Sequence, residues 1–122
     1  MIYMKKLSKI FFLLFLIGLL FSCEKVTLEP ESFDFDQPVS FQDDVIPIFE
    51  NKCVSCHNGS REPDLRTDNA YQSLIDDEEY INTSDPEMSK LYTVLLGSHD
   101  ARATEIEKNT ILAWIKQGAN ND

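Results

Sequence analysis

Two thiols, Cys53 and Cys56, stand three residues apart, and an imidazole, His57, directly follows the second. This is the spacing by which a chain attaches a c-type haem. The chemistry dictates the pattern. Two thiols about one helical turn apart can each form a thioether to a vinyl group of the porphyrin, and the adjacent imidazole then lies beneath the iron. A group held by two covalent bonds needs no tight pocket, so a short chain can carry one. Other uses of the same residues fit less well. A thioredoxin-like redox pair needs a strand–helix–strand surround, and no such pattern flanks the motif. Zinc needs a fourth ligand, and the only other thiol and imidazole are Cys23 and His99. A disulfide between Cys53 and Cys56 leaves His57 without a role.

The third cysteine belongs to the N-terminus. Lys5, Lys6 and Lys9 precede an apolar run from Ile10 to Phe21, broken only by Gly18. That is the length of a signal-peptide core and too short to span a bilayer. The run ends Leu20-Phe21-Ser22-Cys23, which resembles a bacterial lipobox, with Cys23 as the lipidated residue. All three cysteines are then accounted for: lipid for Cys23 and one covalent haem for Cys53 and Cys56. Removing residues 1–22 takes three of the 11 basic residues and none of the 21 acidic ones, leaving a formal charge of −13. A surplus of that sign excludes nucleic acid as a partner and gives no electrostatic hold on anionic lipid. A lipid anchor in the bacterial envelope is therefore the expected membrane attachment, at the outer membrane on its periplasmic or surface face.

The elements that position the motif follow from the pattern around it. Residues 23–39 are acidic, contain two prolines and show no periodicity, as expected of a flexible tether. Ser40 to Lys52 is the first helix, capped by Ser40, with Asp43 and Asp44 in its first turn and Val45, Ile48 and Phe49 on one face. Pro47 should kink it or mark its start. Residues 58–69 form a loop rich in turn formers, and Tyr71 to Ile75 a short helix. The acidic run from Asp76 to Glu79 lacks the oxygen-ligand alternation of a calcium loop and is expected to be a solvated turn. Ser84-Asp85-Pro86-Glu87 predicts the start of another helix, with Met88, Leu91, Tyr92 and Leu95 as its apolar stripe and Gly97 as its end. Thr104 and Glu107 have capping-box spacing and open a last helix that buries Ile111, Trp114 and Ile115 before Gly118. The expected fold is all-α. One domain over residues 40–122 would have a marginal core on apolar surface alone, and a covalent haem supplies the missing bulk.

Across Ser40 to Asn121 the chain resembles a class I cytochrome c domain. Ile48-Phe49-Glu50-Asn51-Lys52-Cys53 looks like the end of that family's first helix, and Ile111-Leu112-Ala113-Trp114-Ile115 like its last. The resemblance implies a contact between Phe49 and Trp114. Pro63-Asp64-Leu65 resembles the family's Pro-x-Leu, which implies that the Pro63 carbonyl orients His57 and that Leu65 packs on the ring. Trp114 to Asn121 is also similar to small membrane-associated haem domains of Bacteroidetes and Planctomycetes. Arg61 and Arg66 could pair with the haem propionates.

The chain departs from the family on the distal side. In place of a Met-Pro loop before the last helix stands Leu96-Gly97-Ser98-His99-Asp100-Ala101-Arg102. His99 is the first candidate for the sixth iron ligand and Met88 the second; an iron without a sixth ligand is the third possibility. The expected function is a lipid-anchored monohaem carrier of single electrons between membrane-associated redox proteins, not an enzyme. Two alternatives stay open. One is an accessory haem subunit of a larger surface or respiratory complex. The other is a haem peroxidase or gas sensor with an open distal site.

Overall fold

Ser40 has the extended backbone of a helix cap, and its hydroxyl accepts the Asp43 N–H at 3.1 Å. From there the computed structural model runs through helices only; it describes Tyr3, Met4 and residues 32–122, and no strand occurs among the described residues. Apart from Tyr3 and Met4, the expected leader over residues 1–22 lies outside the described residues, as do its lipobox and Cys23. No helix among the described residues is long and apolar enough to cross a membrane. Tyr3 and Met4, helical and exposed, belong to a first unit over residues 1–31, and residues 32–122 form the second.

In the second unit a π-helical turn, Phe41–Val45, leads into α1, Ile46–Lys52. Pro47 explains the wide turn. It has no N–H to donate to the preceding turn, and the chain instead closes the longer Ile46 N–H to Phe41 O bond. The kink expected at Pro47 takes this form. Helix α2 is Ala70–Ile75, α3 is Lys90–Leu96 and α4 is Glu105–Lys116. Short 3₁₀ turns, Pro86–Met88 and Asp100–Arg102, precede α3 and α4. The capping box is complete: the Thr104 N–H donates to Glu107 Oε2 at 2.7 Å, and the Glu107 N–H donates to Thr104 Oγ1 at 3.3 Å.

The helix expected from Ser84 onward is broken. Ser89 is extended and fully buried, and its hydroxyl accepts the Asn82 N–H at 2.9 Å. That bond costs the helix its continuity and turns Met88 off the apolar stripe, leaving it 66% exposed. Leu91 and Leu95 stay buried as expected.

The core joins the first turn to α4. Phe41, Phe49, Trp114 and Ile115 are almost wholly buried. The contact implied between Phe49 and Trp114 is mediated by Phe41, whose ring centroid lies 4.8 Å from Trp114, 5.3 Å from Tyr71 and 6.2 Å from Phe49. Phe41 is thus the hub. Phe41→Ala should destabilise the domain by about 3–5 kcal/mol, read as a fall in the urea midpoint.

Asp122 meets the first helical turn at this hub. Asp122 accepts the Phe41 N–H on its carboxylate at 3.0 Å and the Gln42 N–H on its carbonyl at 2.9 Å, pairing donors that a helix start leaves free. Residues 32–39, assigned to the tether by composition, pack on the same end. Gln117 accepts the Val39 N–H at 2.9 Å and donates to Gln37 O at 2.8 Å, and the Lys116 ammonium lies over the Phe35 ring.

Candidate functional site

Helix α1 ends at Lys52 with Cys53 as its cap, and the Cys53 carbonyl then accepts the N–H groups of both Cys56 and His57 at 3.0 Å. This turn brings the two sulfurs and the imidazole to one side of the chain. The loop that follows is pinned at its return, where the Leu65 N–H donates to His57 O at 2.9 Å. Gly59 has a φ of +91°, so the loop's turn needs glycine on conformational grounds.

Asp64 is the loop's knot. Its carboxylate takes a forked pair of bonds from Arg66, at 2.6 and 3.0 Å, and one from Asn69 at 2.8 Å, while its own N–H donates to Ser73 Oγ. The Arg66 guanidinium holds the Asp64 carboxyl far below the usual carboxylate range. A lowered folded-state pKa means that this contribution is full above pH about 4 and is withdrawn as pH falls further. Asp64→Asn should therefore lower the thermal midpoint at pH 7, with the gap to the parent closing in acid.

The motif faces a cleft of about 270 Å³. One wall is Cys53, Cys56, His57, Pro63 and Leu65; the other is Leu91, Val94 and Leu95 of α3, with His99 beyond its end and Tyr80 at the side. Lys52, Arg61, Glu62, Lys90 and Arg102 supply its charged lining. Lys90 is paired with Glu79 at 3.1 Å and Lys52 lies 3.7 Å from Glu107. Arg61 and Arg102 have no carboxylate partner within the described residues.

The two imidazoles both line the cleft, with ring centroids 6.3 Å apart. A metal–imidazole bond is about 2.0 Å, and a ring nitrogen lies about 1.1 Å from its ring centre. Two imidazoles that share one metal ion therefore have centroids no more than about 6.2 Å apart, and the observed separation is close to that limit. Each ring also has its δ-nitrogen engaged. His57 Nδ1–H donates to Pro63 O at 3.0 Å, and His99 Nδ1 shares a hydrogen bond with Ser98 Oγ at 2.9 Å. That leaves the ε-nitrogens, and a second partner on the other nitrogen is what a metal-bound histidine requires.

Burial pushes the Cys53 thiol up to about 11, with the Glu107 charge adding to the effect. A redox-active Cys-x-x-Cys pair instead depends on a lowered thiol pKa. Cys53 and Cys56 are both free thiols.

Of the residues singled out in the sequence, Cys53, Cys56, His57, Pro63, Leu65 and His99 all line this cleft, together with Arg61. Arg66 and Met88 do not: Arg66 is committed to Asp64, and Met88 is turned outward at the Ser89 break. Arg102 and Val94 enter the cleft without having been singled out. Arg102 sits in the loop already noted for His99, but nothing in the residue order sets which loop side chain turns inward. No family model, curated protein or solved structure matches the chain.

Proposed function

We propose that residues 32–122 form a monohaem c-type cytochrome domain that carries single electrons between membrane-associated redox partners, tethered by lipid at Cys23 to the bacterial outer membrane. The observation that carries this reading is a Cys-x-x-Cys-His motif with a second imidazole 6.3 Å away in the same apolar cleft. Cys53 and Cys56 would hold a haem by thioethers, and His57 and His99 are the residues that would bind its iron. When bound, the haem supplies a one-electron iron couple, which two imidazoles set lower than a histidine–methionine pair does.

The chain's own residues do the rest. Pro63 fixes the tautomer and the plane of His57. Leu65, Leu91 and Leu95 keep water from the cleft. Arg61 and Arg102 are the charges available to propionates, in place of the expected Arg66. His99 closes the distal side and favours a carrier over a peroxidase or gas sensor, whose iron needs an open position. A reductive titration of the exported protein tests the proposal. It should end at one electron per chain, reverse on reoxidation, and proceed with no catalytic consumption of peroxide. An endpoint of zero, or turnover of peroxide, would overturn it.

A further inference from the structure

We propose that Lys108 is a positioning residue for His99: its buried ammonium grips Asp100 and so holds the loop Gly97–Arg102 over the cleft. The inference deepens the reading of His57 and His99 as the residues that would bind the iron and rests on it.

Lys108 is 3% exposed, and among the described residues it is the one buried side chain that carries a charge. An ammonium taken out of water needs partners. It has two, Asp100 Oδ1 at 2.5 Å and Glu105 Oε1 at 2.8 Å, and their hydrogen bonds raise its pKa and keep it charged. The two carboxylates differ in what they tie down. Glu105 lies on α4 with Lys108 itself, whereas Asp100 directly follows His99 in the loop. The loop's remaining bonds are within the loop, the Ser98–His99 side-chain pair among them, and to α3, including His99 N–H to Val94 O at 2.8 Å and Arg102 N–H to His99 O at 2.9 Å. Among the described residues, the Asp100–Lys108 pair is the side-chain bond that joins this loop to α4.

The difference between the carboxylates is the test. Asp100→Asn, Glu105→Gln, Lys108→Met and Lys108→Arg are exported in haem-loaded form, and their visible spectra and carbon monoxide binding in the reduced state are measured beside the parent's. The parent should show a low-spin spectrum with two imidazoles. Asp100→Asn and Lys108→Met should show a high-spin fraction and about tenfold tighter apparent carbon monoxide binding, as the open population rises. Added imidazole should return the low-spin spectrum. Glu105→Gln and Lys108→Arg should stay with the parent. Asp100 is exposed and Lys108 keeps Glu105 when it is replaced, so Asp100→Asn should fold even if Lys108→Met does not. A parental spectrum in folded Asp100→Asn overturns the proposal, as does a Glu105→Gln effect equal to that of Asp100→Asn. A parent without haem, or with haem but no second imidazole, overturns the reading of the site itself and this inference with it.

Discussion

Replacing Cys53 and Cys56 with serine should abolish the covalent pigment, leaving an exported chain that shows no haem on a denaturing gel. On the proposed reading each sulfur would make one thioether, so either single variant should keep one bond and a weakened stain. Neither sulfur is needed for the helices around it. The turn at Cys53 is made by backbone bonds from Cys56 and His57, and those survive the loss of the side chains. His57 and His99 also remain in the double variant. Haem that finds the cleft would then be held by two imidazoles alone and should leave with acidified acetone, whereas the parent's pigment stays with the protein. Staining of the double variant equal to the parent's would remove the thiols from the account.

His99→Ala should have the second large effect. With the imidazole gone, the parent's six-coordinate low-spin spectrum should give way to a high-spin one. Carbon monoxide should then bind the reduced protein about a hundredfold more tightly, because no internal ligand competes for the position. His99 is half-buried in a polar loop and contributes nothing to the core, so the fold should persist, and Trp114 fluorescence can check it. His99→Met should keep six ligands but raise the reduction potential. An unchanged spectrum in His99→Ala would assign the distal position to another group.

What could be read from residue order was the chemistry that is local. The Ser40 cap, the Thr104–Glu107 box and the buried face of α4 all depend on neighbours within one or two turns, and each has the form expected of it. The misses are contacts made across the fold. Ser89 breaks a helix because Asn82, seven residues earlier, offers it a partner. Phe41 displaces Phe49 as the ring against Trp114 because the π-helical turn at Pro47 sets where the first-turn side chains fall. Residues 32–39 have the composition of a linker, yet Gln117 gives their backbone hydrogen bonds that composition cannot foresee. Lys108 was legible in part. It stands three residues before Ile111 and seven before Ile115, so helical spacing puts a lysine on the apolar face. The need for Asp100 as its partner was visible only in three dimensions.

The distal position shows the same division. Residue order ranked His99 first, for its place in the loop before the last helix, and Met88 second. Geometry separates them: the His99 ring is 6.3 Å from that of His57, while Met88 is exposed and outside the cleft.

The most direct measurement is the visible spectrum of the exported protein in alkaline pyridine, taken after extraction with acidified acetone. A chain that still carries a c-type haemochrome, at one haem per polypeptide, is the predicted result. A colourless polypeptide with both sulfurs free or joined to each other would contradict the account at its centre.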